Sequence, residues 1–288
     1  MKPIFSVIIP TYHRNDLLAK CLACLKPTEQ TLDVMHYEVI VTDDGHYSTA
    51  EELIRIEFPW VYWVQGPKKG PAANRNNGAK AAQGEWLVFT DDDCLPKSSW
   101  LEAYWQMINQ ERSIKAMEGK ISPDFWNELA KDMSECPVNV NGGCFWSANI
   151  CLQKNLFYNL GGFDEQFLIA AQEDQDLYLR VKAYTTVEFV ANAEIVHPVR
   201  ITSIMYKIKN MSRDLSNWMK YAYKHDYLYK KQGIISFGFS IHASTIRKDL
   251  LNRMYKKVLL SSLYILFGIP YVLIKKYSKD LECFLVKF

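Results

Sequence analysis

Four short apolar runs in the first 90 residues, each closing on a turn or a polar cluster, constrain this chain more than any other feature. Ser6-Val7-Ile8-Ile9-Pro10 is rich in β-branched residues and ends at a proline. Tyr37-Glu38-Val39-Ile40-Val41-Thr42 leads into Asp43-Asp44-Gly45, Trp60 to Gln65 leads into Gly66-Pro67, and Trp86-Leu87-Val88-Phe89-Thr90 leads into Asp91-Asp92-Asp93. Short apolar runs bounded by turn formers read as buried strands. Between them lie helical stretches, about Asp16 to Leu25, Ala50 to Ile56 and Ala72 to Ala82. Strands alternating with helices predict an α/β fold with a mostly parallel central sheet flanked by helices. Ligands of such sheets bind beyond the carboxyl ends of the strands. Thr11-Tyr12-His13-Arg14, Asp43-Asp44 and Asp91-Asp92-Asp93 all fall at those ends.

The remainder is less regular. From Cys94 to Pro198 it carries Gly142-Gly143, Gly161-Gly162-Phe163-Asp164-Glu165 and an acidic helix start, Gln172-Glu173-Asp174-Gln175-Asp176-Leu177. Beyond Thr202 the pattern is helical, which predicts a C-terminal helical extension. Charge divides at the same place. Residues 205–288 hold 16 Lys/Arg against 5 Asp/Glu, leaving 18 against 27 in the first 204, so the formal net charge of +2 hides an acidic body and a basic tail. A basic, aromatic tail points to an anionic surface as its partner. Val258 to Ile274 is free of charge and bracketed by lysine pairs, but Gly268 and Pro270 interrupt it. It sits at the lower edge of a spanning length, and an interfacial helix or one packed on the protein fits as well. The seven scattered cysteines argue for a reducing compartment. The apolar run Ile4 to Ile9 is too short for a secretory signal.

A leaving nucleoside diphosphate concentrates negative charge. Hard cations such as Mg²⁺ or Mn²⁺ meet it through one or two carboxylates plus the phosphates themselves. If the fourth strand ran on, Asp91 and Asp93 would point to one side and suit that task. On its own such a triplet reads as a solvated turn. Its place at the end of an apolar strand in an α/β array changes that reading.

The motifs also occur in the order and spacing of family 2 glycosyltransferases, which this chain resembles over about residues 4 to 200. They are Ser6 to Tyr12, Val41-Thr42-Asp43-Asp44-Gly45, Gly70-Pro71-Ala72-Ala73-Asn74-Arg75-Asn76, Gly84 to Asp93, Gly161 to Glu165 and Glu173 to Arg180. The resemblance implies a GT-A fold and an inverting, Mn²⁺- or Mg²⁺-dependent transfer from a nucleotide sugar, a UDP-sugar first. The acceptor would be a hydroxyl on a glycan or a lipid-linked molecule. It implies a catalytic domain over 1–204, with a nucleotide-binding half 1–93 and an acceptor-side half 94–204, and an extension over 205–288.

Carried over residue by residue, Pro10, Thr11, Tyr12 and Arg14 would line the donor pocket. Asp44 would contact the base, Arg75 the phosphates or ribose, and Asp91 the ribose side. Asp92 joins the donor-binding set without a contact of its own. Asp93 would hold the metal, with His197 near it. Asp174 resembles the general base, made more basic by the carboxylates beside it. Trp146, Asn149 and Glu173 fall on the acceptor side. His46 stands where the family usually has a small polar residue. A sugar nucleotidyltransferase would need a Gly-rich loop after the first strand, which is absent, and no nucleic-acid-binding motif occurs. A non-catalytic relative of the fold would be expected to lack the acids present here. The expected location is the cytoplasm or the inner face of the cell membrane, held there by an anionic membrane surface.

Overall fold

The structure, a computed structural model, describes residues 2–129, 131, 133–225, 227, 246–247, 249 and 255–268. The expected strands form. β1 (Phe5–Thr11) pairs in parallel with β2 (Tyr37–Asp43) and with β4 (Trp86–Phe89), and β2 pairs in parallel with β3 (Tyr62–Gln65). The helices between them are α1 (Asn15–Cys24), α2 (Glu51–Glu57) and α3 (Pro71–Ala81).

The sheet then runs on into the irregular half. It adds β5 (Leu95–Pro96), β6 (Ala116–Pro123), β8 (Ile150–Gln153) and β9 (Glu188–His197), in the order β3-β2-β1-β4-β8-β6-β9-β5. β8 is antiparallel to both β4 and β6, β6 is parallel to β9, and β5 is antiparallel to β9. Three further helices, α4 (Trp100–Gln110), α6 (Lys154–Asn159) and α7 (Glu173–Lys182), belong to this half.

Both faces of the sheet are covered, as the unbroken apolar strands require. Along β1 the side chains alternate. Phe5, Val7 and Ile9 join one core layer with Leu18 and Leu22 of α1, Ile54 of α2 and Trp100 and Tyr104 of α4. Ile8 points the other way, into a layer with Ala72 and Ala79 of α3, Phe89, Phe157 and Leu177. Each fully buried Leu or Phe contributes roughly 2 kcal/mol over exposure. α3 lies close to the sheet because Gly78 carries no side chain. A Cβ there would meet Ile8 Cγ2 at 2.6 Å. That approach sets the height of Asn74, Arg75 and Asn76 over the strand ends.

The chain divides into two compact units, residues 1–125 with 136–198, and residues 126–135 with 199–288. The first holds the sheet. In the second, α5 (Trp126–Leu129) precedes β7 (Ser134–Glu135), which pairs antiparallel with β10 (Arg200–Ile201). α8 (Ile204–Lys224) starts at Ser203, whose hydroxyl accepts the Tyr206 N–H at 3.1 Å. Met211 and Leu215 of α8 pack against Leu260, Leu263 and Tyr264, from the helix Tyr255–Leu263 and the π-turn that follows it. Of the uncharged run, Leu260, Leu263 and Tyr264 thus pack on protein while Leu259 and Leu266 are exposed, and residues 269–274 lie outside the described residues. Among the described residues no helix is long and apolar enough to cross a membrane.

Candidate active site

The carboxyl ends of β1, β2 and β4 meet the amino end of α7. β4 stops at Phe89, and residues 91–94 form a turn closed by the Cys94 N–H on the Asp91 carbonyl at 3.1 Å. Strand alternation is therefore not what aligns the acids. The turn brings Asp91 and Asp93 into one cluster and sets Asp92 on Thr11 and Arg14. Asp92 is wholly buried, accepts the Thr11 hydroxyl at 2.7 Å and pairs with Arg14 at 2.8 Å. That is a brace tying β4 to β1, a role the sequence did not supply for Asp92. Arg14 also reaches Asp93 at 3.2 Å.

Asp91, Asp93, Cys94 and His197 bring one donor atom each to within 4.8 Å of one another. His197 arrives from the end of β9, 3% exposed, with Nε2 at 3.6 Å from Asp93 Oδ1. Its Nδ1 lies 2.9 Å from the Pro198 carbonyl, which only accepts, so in the neutral ring Nδ1 carries the proton and Nε2 presents a lone pair to the cluster. Burial pushes the Cys94 thiol well above its ordinary range. It stays protonated, so the donors that fit a hard cation are the two carboxylates and the imidazole. Sequence reasoning missed Cys94, although its position directly after Asp93 is the signal that could have found it.

Arg75, buried on α3, joins this cluster to α7. Its guanidinium pairs with Asp91 at 2.7 Å and with Glu173 at 3.0 Å. Burial raises the Asp91 carboxyl, but Arg75, His197 and Arg14 outweigh it and hold the carboxyl below its usual range. Next to Glu173, Asp174 is buried at the first turn of α7. Its carboxylate accepts the Gln175 N–H at 2.7 Å and the Ser147 N–H at 3.4 Å. Burial, then repulsion from Glu173, push the Asp174 carboxyl up to about 7, against the pull of Arg75 and the two N–H groups. Burial raises Glu173 as well, with Arg75 opposing. A buried carboxylate poised near neutrality, joined through Glu173 and Arg75 to a cluster of acids, can take up a proton.

The nucleotide side is built by two loops. Asp44 accepts the Lys68 N–H at 2.8 Å, and burial raises its carboxyl while the N–H groups of Lys68 and Gly70 oppose the rise. Asp43 takes the Gly45 and Ala50 N–H groups and so starts α2, a structural use that spacing did not separate from Asp44. His13, at φ +54°, bridges from the end of β1 to the next loop. Its Nδ1 lies 3.0 Å from the Ser48 carbonyl and its Nε2 accepts the His46 N–H at 3.2 Å. Tyr12 is exposed and edge-on to both His13 and His46. Pro10 and Thr11 are buried. Asn74 stitches β1 to β2 through the Thr42 and Thr11 carbonyls.

On the far side, Glu118 of β6 is buried and accepts the N–H groups of Gly143, Cys144 and Phe145, holding the loop that carries Trp146. A lone glutamate inside an apolar strand was the unread signal, because a buried carboxylate demands donors. Asn149 sits where β6 and β9 change register at Gly119, and its amide donates to the Lys120 and Ala193 carbonyls at 2.9 and 2.8 Å. Its oxygen accepts Trp100 Nε1 and the Tyr104 hydroxyl, both at 2.8 Å. All four of its hydrogen-bonding positions are filled within the protein, so Asn149 plugs a bulge and leaves no group for an acceptor. Trp146 is half-buried, with its ring against the core layer on that face.

The family model for glycosyl transferase family 2 matches residues 6–157. Glycosyltransferase AglE of Haloferax volcanii is 36% identical over 105 residues, 35% of this chain and 34% of the relative. A GalNAc(5)-diNAcBac-PP-undecaprenol beta-1,3-glucosyltransferase of Campylobacter jejuni is 31% identical over 145 residues, 45% of either chain. These alignments span less than half the length of each relative. The fold is like that of a mannosyltransferase from Pyrobaculum calidifontis solved with GDP-Man and Mn²⁺, at TM-score 0.59 and 17% identity, over 93% of this chain and 88% of that one. The architecture is GT-A.

Proposed function

The chain belongs to glycosyl transferase family 2, and from that premise we propose that it moves a hexosyl group from a nucleotide-diphosphate sugar to an acceptor hydroxyl with inversion. The observation that carries this reading is Asp174. It is a buried carboxyl raised to about 7, two salt bridges away from a cluster of acids at the strand ends.

In this reading the acceptor hydroxyl gives its proton to an Asp174 carboxylate oxygen as its own oxygen bonds to the anomeric carbon. The bond from that carbon to the diphosphate breaks on the opposite face, and the diphosphate leaves with the electron pair. Asp91, Asp93 and His197 are the residues that would hold Mn²⁺ or Mg²⁺, which when bound offsets the charge of the leaving group. Arg75 keeps Asp91 ionised and fixes Glu173, so the donor side and the base stay in register. Tyr12, Asp44 and the His13-held loop form the base side of the pocket. Catalysis is assigned to the first compact unit, and the second is an accessory to it.

The name of the Campylobacter relative supports a lipid-linked glycan acceptor, and the Pyrobaculum neighbour, bound to GDP-Man and Mn²⁺, supports a metal-bound nucleotide donor. Calorimetric titration of UDP-, GDP- and TDP-sugars with Mn²⁺ tests the reading. One donor should bind in wild type and in Asp174→Asn alike, while transfer is lost in the variant. Equal loss of donor affinity in that variant would count against the base assignment.

A further inference from the structure

We propose that Glu118 is a positioning residue for the general base: its carboxylate moulds residues 142–147 into the loop that holds Asp174 in place. The inference rests on the reading of Asp174 as that base. Four donors converge on the Glu118 side chain. The Gly143 N–H meets Oε1, while the Cys144 N–H (3.1 Å), the Phe145 N–H (2.7 Å) and the Asn139 amide (2.8 Å) meet Oε2. Successive N–H groups face one point where the chain turns through the left-handed region, and such a concavity is an anion site. Gly142, Gly143 and Phe145 stand at φ +78°, +88° and +50°. Here the protein's own buried carboxylate is the anion. Phe145 holds a backbone conformation that residues other than glycine seldom take, and it needs a fixed anchor to do so. Asn139 closes the start of the loop. Its oxygen accepts the Gly142 N–H at 2.9 Å, and its backbone bridges to Ile121 of β6.

The other side of the loop is joined to α7 at three points. The Cys144 carbonyl accepts Gln175 Nε2 at 2.8 Å, the Phe145 ring stacks on Tyr178 with centroids 5.0 Å apart, and the Ser147 N–H donates to Asp174 Oδ2 at 3.4 Å. The Gln175 N–H on Asp174 Oδ1 belongs to α7 itself, so the Ser147 bond is the one that another element supplies to the base. The charged groups facing Asp174 are Glu173 of the same helical turn and Arg75 of α3, and these two are fixed by their own salt bridge. The loop brings no charged side chain. Burial keeps its titratable group, Cys144, a thiol. What the loop gives the base is the Ser147 dipole, and where that dipole sits depends on the three N–H groups that Glu118 gathers. Glu118 therefore acts on the reaction through the loop.

The test is Glu118→Gln in the full chain. All four partners are donors, so a glutamine has to turn its NH2 toward one of them, and Gly143, alone on Oε1, loses its acceptor at least disturbance to the rest. The loop loosens and Ser147 with it. Transfer kcat should fall by roughly 10- to 100-fold while the donor KM holds. The acidic limb of the kcat profile should move up by about half a unit to one unit, because an N–H that favours the ionised form is lost. Gly143→Ala disturbs the same contact from the exposed side of the loop. Its Cβ meets nothing within 4 Å, so the strain of the left-handed backbone is what it adds, and the same pattern should appear even where Glu118→Gln does not fold. Because both act on one contact, the double variant should lose less than the product of the single losses. Variants that melt lower yet keep kcat and the pH limb make Glu118 a structural residue and overturn the proposal. Donor affinity falling as far as kcat, or multiplicative losses in the double variant, overturn it too. Asp174→Asn separates the two readings. If it keeps transfer, the base assignment and the proposal fall together. If it abolishes transfer while Gly143→Ala leaves kcat and the limb in place, the positioning role alone falls.

Discussion

Replacing Asp174 by Asn should stabilise the protein at pH 8 while abolishing transfer. The ordinary value for this carboxyl is 3.8, and burial beside Glu173 pushes it to about 7. The folded state therefore holds the proton more tightly than the unfolded one. The stability this provides is complete below pH 3.8 and is lost as pH rises through about 7. At pH 8 the ionised, buried group costs the fold on the order of 4 kcal/mol. Asn removes that cost but offers one acceptor oxygen where the Gln175 and Ser147 N–H groups now share two. A lost hydrogen bond returns about 1–2 kcal/mol. The net gain is ~2 kcal/mol at pH 8, a rise in melting temperature of roughly 4–8 °C. At pH 5 the wild-type group is mostly protonated in the fold, and the gain should vanish. Thermal melts of both proteins at the two pH values measure this directly, and transfer rates on the same samples should fall by at least ~10²-fold in the variant. A variant no more stable at pH 8, or equally stabilised at pH 5, refutes the assignment of a raised, buried carboxyl.

Further outcomes follow from the same geometry. Asp93→Ala should weaken Mn²⁺-dependent nucleotide binding by at least ~10-fold in calorimetry, with metal-free binding little changed; His197→Ala should do the same more mildly. Arg75→Met leaves Asp91 and Glu173 without their buried partner and should cost roughly 3–5 kcal/mol in urea unfolding, along with donor affinity. His13→Ala frees the loop of residues 45–49 and should raise the donor KM severalfold at constant kcat. His13→Asn, which tolerates the left-handed backbone, should recover most of the loss.

The front half of the sheet was legible because its signals are local. β1, β2 and β4 each show their apolar run and their closing turn or polar residue within a few positions. The back half was not, because its order is set by pairings distant in sequence. β8 enters between β4 and β6, and β9 pairs with β6 across a bulge that the Asn149 amide fills. A residue's type cannot reveal that its amide will be claimed by Lys120 and Ala193. The site divides in the same way. The acids at the strand ends stood out by position, but which of the triplet turns inward depends on the turn after Phe89 and on Thr11 and Arg14 waiting for Asp92. Glu118, with its three N–H donors, and Cys94, within the acid cluster, carry a local signal in their positions, but their partners come from tertiary contacts.

Displacement at an anomeric carbon with Asp174 as base leaves a stereochemical signature. The most direct measurement is real-time NMR of the sugar released when water replaces the acceptor, using an α-linked nucleotide donor and Mn²⁺. Inverting displacement gives the β anomer first, with no release by Asp174→Asn. First appearance of the α anomer, or undiminished release by that variant, would contradict it.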